Sequence, residues 1–211
     1  MKNIDDYMTK RYGSIGQSII HWREMNILES LLDTAGGQFG NLLDCPCGYG
    51  RLTDILSRRC SLLFSGDLNS CTLIAHNDYF RDRIVRNFDA PCDITLLPFK
   101  DDSFDGMVTF RLFHHLVDRE TRIAAFNEAA RVSRRFLLIS YYSSNSLHKF
   151  SRRLNRNISI RNGRKAFLDP VIIREEAASA GWQLVHSCKV LPLIHAQTVA
   201  LFQKSNKTDN Q

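Results

Sequence analysis

Short apolar segments alternate with helical segments along most of the 211-residue sequence, and this alternation constrains the fold more than any other feature. The predicted strands are the apolar segments at residues 41–44, 61–67, 92–96, 104–110 and 136–140. Helical periodicity lies between them, at residues 51–59, around residues 73–75 and at residues 121–131. Strands that alternate with helices form a parallel sheet with helices on both faces. The sequence therefore predicts an α/β fold.

The N-terminal part of the chain is predicted to be helical. Apolar residues recur at helical intervals within residues 1–37, and Gly36 and Gly37 end the pattern. A helical region therefore precedes the first predicted strand.

The C-terminal part adds a helix and two further strands. Residues 169–180 suit a helix, and residues 182–190 and 196–202 can pair as an antiparallel hairpin. We therefore predict one domain over residues 1–205, with a seven-stranded, mostly parallel sheet. Residues 206–211 are predicted to be a frayed tail.

Composition limits the class of protein. With 44% hydrophobic and 24% charged residues, the chain lies in the range of one globular domain. It contains no apolar run of roughly 18 residues, the length that a membrane-spanning helix needs, and its N-terminus is too polar for a signal peptide. We therefore expect a cytoplasmic protein with free thiols. Cys45 and Cys47 are separated by one residue and have no nearby His/Cys set, so no metal site is predicted.

The net charge is +6, which favours anionic partners. The basic residues are concentrated between residues 143 and 167, where no acidic residue occurs. Within this segment Lys149, Arg152 and Arg153 lie opposite an apolar helical face. The segment is consistent either with a solvated helix or with a site that recognises an anion or an anionic membrane surface. It lacks the signature of an RNA-binding module, so nucleic acid is not the expected partner.

A Gly-rich turn follows the first predicted strand, in the sequence LLDCPCGYG at residues 42–50. Such a turn lets the backbone approach a ligand, and the following helix offers free amide donors. Asp67 ends the next predicted strand, about 20 residues on, where dinucleotide-type folds place an acid on the ribose hydroxyls. The two features predict one ligand site. Taken alone, the turn also suits a purely conformational role, and Asp67 suits a strand-end cap.

With these motifs the sequence resembles class I methyltransferases that depend on S-adenosylmethionine (SAM), in the group that includes ubiquinone-pathway and small-molecule enzymes. The resemblance covers residues 41–140. LLDCPCGYG is similar to the first motif of the family, and SGDLNS to its ribose-binding acid. Residues 92–105, CDITLLPFKDDSFD, resemble the stretch in which an Asp contacts adenine before an LPF and a later SFD. The resemblance implies a Rossmann-like fold and SAM as the cofactor.

The resemblance also implies the residues that bind the cofactor. They would surround its methionine, ribose and adenine parts in turn, and Arg111 would face the methyl-donor end. They are Asp44, Cys45, Pro46, Cys47, Gly48, Gly50, Asp67, Leu68, Asp93, Ile94 and Arg111.

Pro46 departs from the family pattern, because it occupies the position of the first glycine of the motif. A proline fixes φ and removes an amide donor. Gly48 and Gly50 can still provide close backbone approach. A turn that no longer binds the cofactor is the alternative that this departure raises.

Candidate catalytic and acceptor-binding residues follow the later strands. His114 and His115 come after the fourth predicted strand and can act as bases, although one of such a pair can also pack structurally. Methyl transfer from a sulfonium mainly requires alignment of the reactants. The candidates for acceptor binding are Tyr7 and Tyr12 in a lid formed by residues 1–37, Tyr141, and Arg152 and Arg153 in the basic insertion at residues 143–168.

The acceptor expected from these features is a small molecule, lipid or saccharide, including phosphorylated ones. Two other functions also remain consistent with the motifs. One is an NAD(P)-binding oxidoreductase, which shares the turn and the strand-end acid. The other is a non-catalytic SAM-binding regulatory subunit, which the Pro46 departure favours.

Overall fold

The structure is a computed structural model that describes Ile4 and residues 13–84, 87–144, 166–192 and 196–205. Its helices are α1 (Ile15–Ala35), α2 (Thr53–Ser57), α3 (Ser70–Phe80), α4 (Arg119–Val132) and α5 (Pro170–Ser179), with a 3₁₀ turn at Phe113–His115. Its strands are β1 (Phe39–Asp44), β2 (Cys60–Asp67), β3 (Asn87–Pro91), β4 (Phe104–Thr109), β5 (Ser133–Tyr142), β6 (Trp182–Lys189) and β7 (Gln197–Lys204).

All the described strands belong to one sheet, in the order β3-β2-β1-β4-β5-β7-β6. Strands β3, β2, β1, β4 and β5 run parallel to one another. Strand β7 is antiparallel to both β5 and β6. The predicted Rossmann-like sheet with a C-terminal antiparallel hairpin is therefore confirmed. The strand order reverses between β1 and β4, which is where open α/β sheets bind ligands at their carboxyl edge.

The third strand differs from the prediction. The predicted strand at residues 92–96 is wrong, because β3 is Asn87–Pro91. Residues 93–96 instead form a turn in which the Asp93 carboxylate accepts hydrogen bonds from Thr95 N at 2.8 Å and Thr95 Oγ1 at 2.7 Å. A polar edge strand has little of the apolar pattern that identifies a buried one.

The core lies on both faces of the sheet. On one face, Leu28 and Leu32 of α1 pack with Leu56 of α2 and with apolar residues of the central strands. On the other face, Phe126 of α4 and Trp182 of β6 are completely or almost completely buried. The sheet is therefore covered by helices on both sides, as the alternation predicted.

Helix α1 confirms the predicted N-terminal helix from Ile15 onward. Ser14 caps its first turn by accepting a hydrogen bond from Gln17 N, and Gly36, with φ of +131°, ends it. No helix in the described ranges is long and apolar enough to cross a membrane.

Candidate functional site

A cleft of about 210 Å³ opens at the carboxyl edge of the sheet, where the strand order reverses. It lies above the ends of β1, β2 and β4 and beside the Gly-rich turn. The residues that line it are Asp44, Pro46, Cys47, Gly48, Tyr49, Arg51, Leu52, Asp67, Phe110 and Arg111. The structure therefore brings together six of the predicted cofactor-binding residues at one cavity and adds four that were not predicted.

The Gly-rich turn forms the floor of this cleft. Cys47 N donates to Gly66 O at 2.7 Å, which ties the turn to β2. Gly48 and Gly50 have φ of +56° and +80°, in the left-handed region that favours glycine. The Cys45–Pro46 peptide is cis, and Pro46 itself lines the cleft. Pro46 therefore does not prevent the turn from forming a cavity.

Asp67 links the turn to the end of β2. One carboxylate oxygen accepts a hydrogen bond from Gly48 N at 3.0 Å, and the other accepts one from Asn69 N at 2.8 Å. Each carboxylate oxygen has a second lone-pair site for another donor. Asp67 is thus fixed in orientation while it can still accept hydrogen bonds from two adjacent hydroxyl groups.

Asp44 ends β1 next to Asp67, but its surroundings differ. Its side chain is 1% exposed, and neither of its oxygens has a hydrogen-bond partner among the described residues. Burial, reinforced by the nearby negative charge of Asp67, raises the pKa of Asp44 to about 8, although Arg51 opposes the shift. A buried carboxyl group without a partner is costly when charged, and a cationic ligand would remove that cost.

Two arginines line the cleft near Asp44. Arg51 follows the Gly-rich turn, and its Nη2 lies 2.8 Å from Glu24 Oε2. Arg111 follows β4 and donates from Nη2 to the same oxygen at 2.8 Å and from Nε to Glu24 Oε1 at 3.3 Å. Glu24 belongs to α1 and is fully buried. Burial acts to raise the pKa of Glu24, but the two arginines outweigh it and hold that pKa below its usual range.

The backbone at Arg111 is unusual. Its φ is +57°, a value that non-glycine residues rarely adopt. The Ser140 hydroxyl oxygen holds this conformation by accepting a hydrogen bond from Arg111 N at 2.7 Å. Strained backbone of this kind is concentrated at functional sites, where surrounding contacts maintain it.

The predicted adenine-binding residues lie beyond β2. Leu68 is 73% exposed, whereas Ile94 is buried. The segment after Asp93 is clasped by Arg131, which donates to Leu97 O at 2.9 Å and to Phe99 O at 2.6 Å. This clasp fixes the loop, although Leu68, Asp93 and Ile94 are not among the residues that line the cleft.

Cys45 and Gly50 also lie outside the lining. Cys45 is buried in the core, and Gly50 packs against Phe80 and His76. Hydrogen bonding to Cys92, together with burial, raises the pKa of the Cys45 thiol. These residues support the turn from below.

The two candidate histidines differ in exposure. His114 is buried, and its ring stacks on Tyr142 with centroids 4.3 Å apart. His115 is exposed. Tyr141 lies in the core, where burial raises the pKa of its hydroxyl group to about 12. Since side chains alternate along β5, Tyr142 takes the more exposed position beside His114, and the assignment of Tyr141 to acceptor binding gains no support from this geometry.

Four predicted acceptor-binding residues, Tyr7, Tyr12, Arg152 and Arg153, lie outside the described residues.

Sequence reasoning missed Glu24 and Arg51. Glu24 occupies the helical face of Leu28, Leu31 and Leu32, so a carboxylate on an otherwise apolar face was the available signal. In the described part of the chain, no group of three or more His, Cys, Asp or Glu side chains could hold a metal ion.

Comparisons with known proteins bear on this cleft. Residues 43–135 match a family described as "Methyltransferase domain". This region includes the Gly-rich turn, Asp67, Asp93 and Arg111, and the match favours a transferase over an oxidoreductase. No curated protein matches the sequence.

Solved structures share the fold. A magnesium protoporphyrin IX methyltransferase from Synechocystis, with bound SAH, superposes with a TM-score of 0.74 at 14% identity, over 91% of this chain and 88% of that one. A SAM-dependent methyltransferase from Clostridium acetobutylicum has a TM-score of 0.74 at 14% identity, over 97% of this chain and 100% of that one. One from Methanosarcina mazei has a TM-score of 0.67 at 16% identity, over 86% and 98%. The chain therefore shares the fold of these methyltransferases, and residues 43–135, which carry most of the cleft, match the methyltransferase domain.

Proposed function

We propose that the chain is a class I methyltransferase, and that it binds SAM in the cleft with the methionine end between Asp44 and the two arginines. The unpartnered, buried carboxyl group of Asp44 is the observation on which the proposal depends. It suits the α-ammonium group, while Arg51 and Arg111 suit the carboxylate. The cleft thus offers opposite charges to the two ends of an amino acid.

The other parts of SAM would follow the sheet edge. Asp67 would accept hydrogen bonds from the ribose hydroxyls, since each of its oxygens can take one more donor. Leu68 would cover one face of the adenine, and its exposure makes it available for that contact. Asp93 would accept from the adenine amino group, with Ile94 donating its backbone amide. These roles are the ones that the family resemblance implies, placed on the positions that the residues occupy in this structure.

The bound cofactor supplies a methyl group attached to a positively charged sulfur, and this sulfur is the leaving group when the methyl group is transferred. The chain then has to align the acceptor and exclude water. Phe110 and Arg111 form the wall of the cleft on the β4 side. His114 and His115 stay candidates for moving a proton, which matters only for a weakly acidic acceptor or a protonated amine.

We further propose that the acceptor is an anionic small molecule, lipid or saccharide, and that the enzyme works in the cytoplasm, where its six free cysteines stay reduced. The seven Lys and Arg residues between residues 143 and 167, without an acid among them, support an anionic acceptor. The described residues at the two ends of this segment also support it. Ala166 N donates to His114 O at 2.8 Å, and Ser144 N to Leu168 O at 2.9 Å, so both ends are anchored near the carboxyl edge.

Charge reversal in the basic segment tests the acceptor class. The double variant Arg152→Glu, Arg153→Glu should keep the SAM affinity of the parent. It should bind less well to vesicles of phosphatidylserine and phosphatidylcholine, or turn over phosphorylated sugars more slowly, with a loss that shrinks as salt rises. SAM affinity is measured by calorimetry, and turnover by release of SAH.

A matched control changes the net charge equally at exposed arginines elsewhere. Arg58→Glu, Arg174→Glu serves this purpose, because both side chains are exposed and neither lines the cleft. If the Arg152/Arg153 variant binds vesicles and turns over each phosphorylated sugar as the control does at low ionic strength, the segment is only a solvated helix. A loss confined to vesicles would assign it to the membrane surface, and a loss confined to sugars to a soluble acceptor.

A further inference from the structure

Glu24 is a buried charge whose position on α1 does not by itself explain its presence. Its side chain has no exposed surface, and it shares its helical face with Leu28, Leu31 and Leu32. Burial of a carboxylate is costly unless it is paired and hydrogen-bonded. Glu24 does not line the cleft, yet both of its charged partners do.

The contacts of Glu24 fix the orientation of those partners. Arg111 presents Nε and Nη2 to the two carboxylate oxygens, at 3.3 and 2.8 Å, so that the plane of its guanidinium is set. Arg51 is held through Nη2 at 2.8 Å from Oε2 of the same carboxylate. Because a guanidinium carries five donors in a rigid, planar fork, fixing one edge also directs the others.

The backbone gives independent support for this arrangement. Arg111 adopts the left-handed region, with φ of +57°, although glycine would adopt it at lower cost. The strained conformation places a long cationic side chain where it reaches α1, and Ser140 Oγ stabilises it by accepting from Arg111 N. Three elements, α1, the Gly-rich turn and the end of β4, therefore meet through one carboxylate.

We propose that Glu24 is a positioning residue that orients Arg51 and Arg111 to bind the carboxylate of the cofactor, without touching the cofactor itself. This inference rests on the proposed placement of the methionine end of SAM. A carboxylate behind two guanidiniums is compatible with a second carboxylate in front of them, because two positive charges are shared between two negative ones. Without Glu24 the two guanidinium groups would repel each other, and no shared carboxylate would hold their orientations.

The test compares SAM with decarboxylated SAM, which lacks only the carboxylate. In the wild type SAM should bind more tightly than the decarboxylated ligand. We divide the dissociation constant for decarboxylated SAM by that for SAM. In Glu24→Gln, which keeps the size of the side chain, this ratio should fall by about 10-fold. The affinity for decarboxylated SAM should change little. Both affinities are measured by calorimetry at a temperature at which each variant is folded by circular dichroism.

Two further variants make the result specific. Glu29 lies one to two turns further along the same helix and has no ion pair with any other described residue. The ratio of dissociation constants for Glu29→Gln should therefore equal that of the wild type. Glu24→Asp keeps the charge but withdraws it by one methylene, and it should lower the ratio by about 3-fold. It also replaces Glu24→Gln as the decisive variant if the amide variant does not fold.

The outcomes separate this inference from the proposed placement of SAM. If the Glu24 variants weaken both ligands equally and leave the ratio unchanged, Glu24 has only a structural role and the inference is overturned. If the wild type binds both ligands with the same affinity, the arginines do not bind the carboxylate and the placement of the methionine end fails first. A fall in the ratio for the Glu24 variants alone supports both.

Discussion

The buried carboxyl groups at the two ends of the cleft differ in their hydrogen-bond partners. We call Asp67, Gly48 and Asn69 the ribose corner, and Asp44, Arg51 and Arg111 the methionine corner. Asp67 and Asp44 end neighbouring strands, but Asp67 accepts two backbone hydrogen bonds, whereas Asp44 has no hydrogen-bond partner among the described residues.

This difference shows that the local backbone assigns a role to each carboxyl group. The ribose corner is satisfied by the chain itself, so Asp67 is held in one orientation ready for further donors. In the methionine corner the pKa of Asp44 is raised to about 8 by burial and by Asp67, so this group holds a proton near neutral pH. Asp67 would therefore bind a ligand because its orientation is fixed, whereas Asp44 would bind one by losing a proton.

The largest expected effect removes the support beneath both corners. In Gly50→Ala the added Cβ would overlap the Phe80 ring and lie 2.9 Å from His76 Cδ2, with φ at +80°. His76 cannot easily move, because hydrogen bonds hold its ring between Thr53 and Asp89. We expect unfolding free energy to fall by about 3 kcal/mol and SAM binding to be lost, as measured by urea denaturation and calorimetry.

Gly48→Ala is the matched control. Gly48 also has a left-handed φ, of +56°, but nothing lies within 4 Å of the position of its Cβ. Its unfolding free energy should fall by only about 1 kcal/mol, the cost of the conformation alone. Equal stabilities for the two variants would show that the packing of Phe80 and His76 does not hold the turn.

The next effect breaks the ribose corner alone. Asp67→Ala removes the acceptor for the ribose hydroxyls and also releases Gly48 N and Asn69 N. We expect SAM binding to weaken by about 1 to 3 kcal/mol, measured by calorimetry on the folded variant. Unchanged affinity would contradict the assignment of the ribose to this corner.

The turn and Asp67 of the ribose corner could be predicted from the sequence. The resemblance supplied Asp44 and Arg111 of the methionine corner, but the contacts that Glu24 makes with Arg51 and Arg111 could not be predicted. A strand, a Gly-rich turn and a later strand-end acid lie close together in sequence, so the turn and Asp67 follow from local pattern. Glu24 and Arg111 are 87 residues apart, and only tertiary packing brings them together. The same limit applies to β3, whose polar residues pair with Ser65 and His76 rather than forming an apolar run.

The third prediction concerns pH and sharpens the contrast between the two acids. SAM should bind about 5-fold more tightly at pH 8 than at pH 7, because a cationic ligand requires Asp44 to lose its proton and its pKa is about 8. Asp44→Asn should bind more weakly and lose this dependence. Calorimetry in buffers of different ionisation enthalpy should detect proton release in the wild type, and its absence would place the α-ammonium elsewhere.

Stability of the free protein should change with pH in the opposite sense. The pKa of Asp44 is raised from 3.8 to about 8, so between these values the folded state binds more protons than the unfolded state. The contribution of this group to stability therefore falls as pH rises through that window and levels off above it. Thermal denaturation should show Asp44→Asn gaining stability relative to the wild type over the same range, whereas a constant difference would mean that Asp44 titrates normally.

The smallest effect is expected at the adenine side of the ribose corner. Asp93 would make one contact with the adenine amino group, and water can replace part of a single exposed hydrogen bond. Its carboxylate also accepts from Thr95 N and Thr95 Oγ1, but Arg131 clasps the same loop through Leu97 O and Phe99 O. Asp93→Ala should therefore weaken SAM binding by about 0.5 to 1 kcal/mol, less than Asp67→Ala. Titration of both variants with SAM under one set of conditions decides the order, and a greater loss at Asp93 would mean that adenine, rather than ribose, anchors the cofactor.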